Sequence, residues 1–278
     1  MNKTRLHPLI AAAAILWLIA LGFASVYDLD ISLAIADERS VFGRILEIGG
    51  EPPAILFTSF NFSLMMAHFW KRPDRKQLHV TLAALTFVGC TGTAIFTTIK
   101  IANYLLDWQL VHGQLPTVIA VIAGVLIAAA LMANALRLPA PTLAKYFDTA
   151  CRCAYVGVAT FVIIWIFKLL WGRVRFRQLA GDLSLFTPWY LPQGFNGFYS
   201  FPSGHTANAT VIFAVSYYFR FLPEKFRRLK PLITAVLLLW IAIAAFSRVR
   251  VGAHYLSDVL FGAAITFGIV YFFKDKHD

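Results

Sequence analysis

Charged residues are scarce in this 278-residue chain, at 14% against about 25% in an average soluble domain. Negative charge is scarcer than positive charge: the chain has 14 Asp and Glu and 25 Lys and Arg, which gives a formal net charge of +11. Hydrophobic residues make up 59%, well above the roughly 45–50% of soluble domains. This composition excludes an ordinary soluble enzyme and is typical of an integral membrane protein.

Cysteine is nearly absent, and its three residues do not form a disulfide framework. Cys90 lies within an apolar segment, while Cys151 and Cys153 flank one residue near the start of another. An odd set in apolar surroundings is typical of packing residues. The histidines outside the motifs described below show no metal-ligand spacing and are interpreted as interfacial or structural. They are His7, His68, His79, His112 and His277.

Apolar segments long enough to cross a hydrocarbon core of about 30 Å recur along the whole chain. The predicted spans are residues 9–26, 52–69, 79–98, 117–136, 149–170, 206–222, 231–247 and 257–273. The chain is therefore predicted to be an all-α, polytopic membrane bundle of about eight helices, with no separate soluble domain. The first span is expected to be retained, because no convincing small-residue cleavage site precedes Tyr27.

Lysine and arginine are concentrated in every second predicted loop, which sets the expected orientation. If the N-terminus is cytoplasmic, the inner segments contain Lys3, Arg5, Lys71, Arg72, Arg75, Lys76, Arg137, Lys145, Arg152, Arg220, Lys225, Arg227, Arg228, Lys230, Lys274 and Lys276. The outer loops without motifs keep only Arg39, Arg44 and Lys100. Both termini are therefore expected in the cytoplasm. The basic charge is attributed to topology and contacts with anionic membrane lipids, and no nucleic-acid partner is expected.

Two outer loops have contrasting compositions. The first carries the acidic residues Asp28, Asp30, Asp37, Glu38, Glu47 and Glu51, and is expected to contain a short interfacial helix. The second is crowded with aromatic residues, namely Phe176, Phe186, Trp189, Tyr190, Phe195, Phe198, Tyr199 and Phe201. Aromatic side chains prefer the membrane–water interface, so this loop is predicted to lie at the headgroup layer. It is either an aromatic belt or the mouth for a lipid substrate.

Two cations, Lys168 and Arg175, stand at the outer end of the fifth predicted span. They are seven residues apart, so they share a face if the helix continues for two more turns. The planar fork of arginine and the point charge of lysine suit a phosphoryl group. Basic side chains that snorkel at a helix end would give the same pattern.

The stretch Pro202-Ser203-Gly204-His205 stands where the sixth span begins. Free backbone N–H groups make a helix N-terminus a site for anions. Gly204 lets an anion approach the backbone, Ser203 adds a hydroxyl donor, and His205 can protonate a leaving oxygen. The simpler alternative is a helix cap with an incidental histidine.

The third motif, Ser247-Arg248-x5-His254-x3-Asp258, is the most specific. His254 and Asp258 are four apart, so on one helical turn the carboxylate would orient the imidazole and leave one ring nitrogen free for nucleophilic attack. Ionisable residues at the ends of apolar segments are costly, which favours a functional role. The predicted topology places all three motifs at the outer membrane face.

With these three motifs the chain resembles the type 2 phosphatidic acid phosphatase (PAP2) superfamily, whose signature is KxxxxxxRP, PSGH and SRxxxxxHxxxD. The resemblance covers about residues 150–273. It divides the chain into N-terminal transmembrane helices with an outer interfacial segment, residues 1–148, and a phosphatase core, residues 149–278. Phe176 stands where the family usually has a loop-shaping proline. The family's minimal form has fewer spans before the first motif, so a six-helix core with added helices is an alternative to eight.

The resemblance implies a lipid phosphatase that works through a phosphohistidine. His254 would be the nucleophile, oriented by Asp258, and His205 would be the acid that protonates the leaving group. The residues that would bind the phosphoryl oxygens are Lys168, Arg175, Ser203, Gly204 and Arg248. No metal or other cofactor is expected, since fixed cations and backbone N–H groups would supply the electrostatic stabilisation.

Three further outer cations, Arg173, Arg177 and Arg250, lie beside the motif positions. They could hold a second phosphate, which favours a diphosphate lipid such as undecaprenyl diphosphate, or they could steer an anionic headgroup or be solvated. The predicted function is hydrolysis of undecaprenyl diphosphate, phosphatidylglycerophosphate or phosphatidic acid at the outer face of a bacterial plasma membrane. A lipid phosphotransferase at the same site and, from another class, a non-catalytic transporter or scaffold are the alternatives. A vanadium haloperoxidase shares the signature, but a membrane-embedded chain argues against it.

Overall fold

The computed structural model describes residues 8–72 and 76–275, and within these ranges it contains helices and loops and no strand. The α-helices are α1 (Pro8–Ile35), α2 (Val41–Gly49), α3 (Pro52–Trp70), α4 (Gln77–Asp107), α5 (Leu115–Arg137), α6 (Ala140–Trp171), α7 (Gly204–Val211), α8 (Lys230–Arg250) and α9 (Leu256–Phe273). Segments of 3-10 helix are Phe176–Gln178, Leu183–Leu185, Ile212–Phe221, which continues α7, and Glu224–Leu229. The predictions for Lys3, Arg5, His7, Arg75, Lys276 and His277 concern residues outside the described ranges.

Six helical segments of the described chain are long and apolar enough to cross a membrane. They are Ala11–Ile35, Gln77–Asp107, Leu115–Arg137, Ala140–Gln178, Glu224–Arg250 and Leu256–Phe273. The predicted all-α, polytopic membrane architecture is thus confirmed. The other two predicted spans, 52–69 and 206–222, are helical throughout or nearly so. They do not combine the length and the apolar composition that a membrane-crossing helix needs.

Helix α3 lies inside the bundle, where it packs against α4, α5, α6 and α7. Several of its polar side chains are buried and find partners there, because an unpaired polar group would be costly in an apolar interior. Ser59 Oγ lies 2.7 Å from Thr93 Oγ1, and Tyr218 donates to Asn61 Oδ1 at 2.6 Å. Cys90 and Cys153 lie in the apolar clusters around this helix, in agreement with the packing role predicted for them.

The acidic outer loop is shorter than predicted, because α1 continues to Ile35 and includes Asp28 and Asp30. The predicted short helix is present as α2, which begins after Ser40, whose Oγ accepts a hydrogen bond from Gly43 N at 3.3 Å. This helix packs against α8 and α4. Its last turn therefore lies beside the third motif, which ends α8.

Helices from the two halves of the sequence pack directly on each other: α1 on α9, α2 on α8, and α3 on α6. Four helix ends then meet at one place. Helix α6 ends at Trp171, because Gly172 adopts the left-handed conformation at φ +56° and closes it. Helix α7 begins after Ser203, α8 ends at Arg250, and α9 begins at Leu256.

Candidate active site

A cavity of about 310 Å³ lies among the ends of α4, α6, α7 and α8 and the segment that precedes α9. The residues singled out in the sequence that line it are Lys168, Arg175, Arg177, Gly204, His205, Arg248 and His254. Ser203 and Asp258 are fully buried and do not line the cavity. The folded chain therefore brings residues of all three motifs to one site.

Lys168 and Arg175 reach this cavity from different local structures. Lys168 lies in the last turn of α6 and donates from Nζ to the Tyr199 carbonyl at 2.5 Å. Arg175 lies beyond the end of the helix, so the predicted shared face over two further turns is wrong. The left-handed Gly172 redirects the chain, and both side chains nevertheless line the same cavity.

The Pro202–His205 stretch forms the start of α7, and its members face different ways. Ser203 is the helix cap: its Oγ accepts from Thr206 N at 3.3 Å. Because this side chain is buried, its hydroxyl acts as a helix cap and does not face the cavity as a phosphate donor. Gly204 lines the cavity beside Lys168, whose Cε would lie 3.2 Å from a Cβ at that position. His205 also lines the cavity.

His254 and Asp258 are neighbours, but not on one helical turn as predicted. His254 precedes α9, and Asp258 lies in the first turn of that helix. His254 Nδ1 is 3.4 Å from Asp258 Oδ2, which also accepts from Ser200 Oγ at 2.5 Å and Tyr255 N at 3.0 Å. Burial lowers the pKa of His254 well below its usual value, against the opposing effect of Asp258. The ring is therefore neutral at neutral pH, the form that a nucleophile requires.

Arg173 does not face the cavity, which corrects the expectation that it contacts a second phosphate or a headgroup. It is buried, with Nη1 2.6 Å from Asp258 Oδ1 and Nη2 2.9 Å from Asp28 Oδ2. Its guanidinium also lies 4.0 Å from the ring centre of Tyr255. A guanidinium between two buried carboxylates is bound internally and has no fork left for a ligand.

Arg250 also points elsewhere, whereas Arg177 faces the cavity. Arg250 donates to the Ile35 carbonyl at 2.5 Å and to Asp37 Oδ2 at 3.0 Å, and it does not line the cavity. Arg177 lines the cavity and lies 3.3 Å from Glu47 Oε1. Of the three additional arginines, only Arg177 is placed to contact a ligand.

Several buried guanidinium nitrogen atoms around the cavity have no hydrogen-bond partner among the described residues. They are Nε and Nη1 of Arg248 and Nε of Arg175. A buried cationic donor without a partner is costly, and the oxygens of a phosphoryl group match the geometry of guanidinium forks. The cavity thus combines donors for an anion with a neutral histidine, an arrangement that can perform phosphoryl transfer.

Residues 149–277 match the PAP2 superfamily. The match covers slightly less than half of the chain. The chain is also similar to phosphatidylglycerophosphatase B of Bacillus subtilis (strain 168), with 34% identity over 108 residues. That alignment covers 37% of this chain and 51% of the relative, so the chain spans about half the length of the curated relative it matches. No solved structure matches significantly.

The PAP2 region does not form the cavity alone, because five lining residues come from the N-terminal half: Glu47, Phe96, Lys100, Tyr104 and Asp107. Glu47 Oε1 accepts from Arg248 Nη2 at 2.7 Å. Burial alone would raise the pKa of Glu47, but the charges of Arg248 and Arg177 hold it below its usual value. Glu47 is therefore ionised and orients two of the cations of the site.

Lys100, which lines the cavity, forms a second ion pair with Glu51. Sequence analysis placed both in outer loops without a role. Lys100 could have been recognised from the sequence, because a lysine within an apolar helix indicates a functional role. Among the residues that the structure describes, no three His, Cys, Asp or Glu side chains form a group that could hold a metal ion.

Proposed function

We propose that this chain is a PAP2-type lipid phosphatase that hydrolyses a phosphomonoester or diphosphate lipid. The observation that carries the proposal is the set of unpartnered guanidinium nitrogens of Arg248 and Arg175 beside His254 in one cavity. A phosphoryl group supplies the oxygens that such donors bind. The name of the Bacillus subtilis relative supports phosphatidylglycerophosphate, and lipid phosphates in general, as the substrate class.

In the proposed reaction, His254 attacks phosphorus with its free ring nitrogen while Asp258 holds the other one. A P–N bond forms as the P–O bond to the leaving group breaks, and His205 gives a proton to the departing oxygen. The negative charge on the phosphoryl oxygens is stabilised by Lys168, Arg175 and Arg248. Water then attacks the phosphohistidine, neutral His205 accepts its proton, and the P–N electrons return to His254.

An apolar cavity next to the polar one supports a lipid substrate. It has a volume of about 280 Å³ and shares Phe96, Phe161 and Asn208 with the polar cavity. Its other walls are apolar or small side chains of α3, α4, α6 and α7, such as Ala54, Gly92 and Val158. Burial of apolar chain surface there would contribute about 0.8 kcal/mol per CH₂ group. We assign the headgroup to the polar cavity and the start of the lipid chain to the apolar one.

The proposed location is a bacterial plasma membrane, with both termini in the cytoplasm and the cavity at the outer face. The distribution of lysine and arginine between alternate loops supports this orientation. The aromatic segment 176–201 supports a place for the cavity at a membrane–water interface, because Phe195 and Tyr190 are exposed at the end of the bundle where the cavity lies. This segment is proposed to border the mouth through which a lipid headgroup enters.

Phosphate release from a panel of lipid phosphates in detergent tests the proposal. We expect release from at least one of undecaprenyl diphosphate, phosphatidylglycerophosphate and phosphatidic acid, and none from the His254→Ala variant. Dependence of product formation on an added lipid acceptor would instead identify a phosphotransferase. Absence of any turnover by the folded wild type would contradict the proposed activity and favour a transporter or scaffold.

A further inference from the structure

Residues 46–51, which are the end of α2 and its connection to α3, lie against the imidazole of His205. The Leu46 carbonyl oxygen is 2.9 Å from His205 Nε2, and Glu51 Oε1 is 3.3 Å from Nδ1. Residues 46–51 precede the region that matches the PAP2 superfamily, residues 149–277. Both ring nitrogens of the proposed acid therefore face acceptors that the N-terminal half of the chain supplies.

Gly50 lies between these two acceptors and lets the backbone approach the ring. A Cβ at this position would be 2.5 Å from His205 Nε2, closer than non-bonded atoms come. Gly50 has φ −69°, which any residue adopts, so its backbone conformation does not require glycine. The requirement comes from the imidazole itself, which indicates that this connection is fitted to His205.

The two acceptors together favour one protonation state of the ring. A carbonyl oxygen can only accept, so Nε2 must carry a hydrogen to bond Leu46 O. An ionised carboxylate is likewise only an acceptor, so a hydrogen is favoured on Nδ1. An imidazole with hydrogens on both nitrogens is the cationic form, which is the form that donates a proton to a leaving oxygen.

Glu51 is itself held in place and kept ionised. It is fully buried, forms an ion pair with Lys100, and accepts from Asn208 Nδ2 at 2.6 Å. Burial alone would raise the pKa of Glu51, but the charges of Lys100 and His205 lower it below its usual value. The carboxylate thus remains negative beside a ring whose own burial disfavours a positive charge.

We propose that Glu51 is a positioning residue that orients His205 and retains the proton which His205 delivers to the leaving group. The site then contains two histidine–carboxylate pairs: His254 with Asp258 for attack, and His205 with Glu51 for proton transfer. The proton leaves His205 for the oxygen of the broken P–O bond and is regained from the water that hydrolyses the phosphohistidine. This inference rests on the proposed phosphatase activity.

Charged or titratable side chains on three other elements also face His205. They are Glu47 from α2, Lys100 and Tyr104 from α4, and Arg248 from α8. Burial lowers the pKa of His205; Glu51 opposes this shift, and Arg248 and Lys100 reinforce it. Removal of the Glu51 charge should therefore lower the pKa of His205 further. The alkaline limb of the kcat–pH profile, where the acid loses its proton, should move to lower pH.

The test compares leaving groups in Glu51→Gln, with Glu51→Asp as the conservative variant and Glu38→Gln as the matched control. Glu38 is an exposed carboxylate on the segment that precedes α2. For phosphatidic acid, whose alcohol leaving group needs a proton, kcat of Glu51→Gln should fall about 10–100-fold. This is less than the roughly 10²–10⁴-fold that general acid catalysis contributes, because His205 itself is retained. For 4-nitrophenyl phosphate, whose leaving group needs little proton assistance, kcat should change by less than about threefold. Glu51→Asp should recover part of the loss, and Glu38→Gln should behave as wild type.

The outcomes separate this inference from the proposed function. Wild-type phosphate release that His254→Ala abolishes establishes the phosphatase; an equal loss on both substrates in Glu51→Gln then overturns the role of Glu51 alone. A wild type inactive on 4-nitrophenyl phosphate and on all three lipids of the panel overturns both proposals. If Glu51→Gln does not fold in detergent, Gly50→Ala keeps every charge and displaces the ring from the Leu46 carbonyl, since its Cβ would lie 2.5 Å from His205 Nε2 and 2.6 Å from Leu46 O. Gly50→Ala should show the same leaving-group dependence as Glu51→Gln. Equal activity losses on the two substrates would refute the inference.

Discussion

Asp258 is bound by Arg173 through the carboxylate oxygen that does not face His254. Arg173 Nη1 lies 2.6 Å from Oδ1, whereas His254 Nδ1 lies 3.4 Å from Oδ2. Arg173 also binds Asp28 of α1, so the partner of the proposed nucleophile is connected through the end of α6 to the first helix. The position of His254 therefore depends on contacts between segments that are far apart in sequence.

Arg173→Ala should destabilise the fold and abolish activity. Removal of one partner from a buried ion pair costs roughly 3–5 kcal/mol, and here it leaves Asp28 and Asp258 unpaired. Thermal unfolding in detergent should show a large decrease in the unfolding temperature. Arg250→Ala is the matched control: its pair with Asp37 is partly exposed and should contribute about 1 kcal/mol or less. Equal shifts for the two variants would contradict the assignment of Arg173 to the interior.

His254→Ala should remove phosphate release while the protein stays folded. The ring is proposed to form the covalent bond to phosphorus, so its removal should prevent that step. Phosphate release measures activity, and far-ultraviolet circular dichroism measures folding. Incubation of the wild type with a radiolabelled substrate, followed by rapid quenching at alkaline pH, should trap labelled protein that the variant lacks. Residual turnover above a few per cent of wild type would refute the nucleophilic role.

Activity should survive EDTA and should fall with orthovanadate. In the proposed mechanism the charge on the transferring group is stabilised by Lys168, Arg175 and Arg248, so chelation of divalent ions removes nothing that the reaction needs. Vanadate resembles pentacovalent phosphorus and should compete for the same donors. Phosphate release with and without each reagent is the measurement. Strict dependence on magnesium would contradict the metal-free mechanism.

Stability should decrease as the pH falls below the ordinary titration range of histidine. Because burial lowers the pKa of His254, the unfolded chain takes up a proton near about pH 6.5 while the folded chain does not. The unfolded state then binds more protons, so lower pH favours unfolding. The unfolding temperature should be lower at about pH 5.5 than at about pH 7.5, and His254→Ala should show a smaller difference. The same difference in both proteins would exclude His254 as its source.

Arg177→Ala should distinguish a diphosphate from a monophosphate substrate. Arg177 is the one of the three additional arginines that lines the cavity, where Glu47 orients it. If it contacts a second phosphate, kcat/KM should fall about 10-fold or more for undecaprenyl diphosphate and by less for phosphatidic acid, since a hydrogen bond to a charged group contributes about 1.5–3 kcal/mol. Arg250→Ala, which alters a cation outside the cavity, should change neither. Equal losses on both lipids would assign Arg177 to general headgroup attraction.

The helical architecture could be predicted because it is encoded locally. Apolar segments of sufficient length specify membrane helices wherever they occur, and the end of α6 follows from one glycine, Gly172. The segments 52–69 and 206–222 are the exceptions. Helix α3, which contains the first of them, is largely buried, but it carries polar residues such as Asn61 that other helices bind. Hydropathy alone does not distinguish such an inner helix from one that faces lipid.

The sequence by itself specified the chemical groups of the site: two histidines, a carboxylate and the cations Lys168, Arg175 and Arg248. Their identities and spacing are local properties, so they could be recognised without a structure. Only the tertiary structure decided which further charges belong to the site. It turned Arg173 inward between Asp28 and Asp258, and it brought Glu51 to His205, 154 positions away in sequence. The physical reason is that a buried charge is stable only beside its partner, and the packing of α1, α2 and α3 on the PAP2 region determines which partners meet.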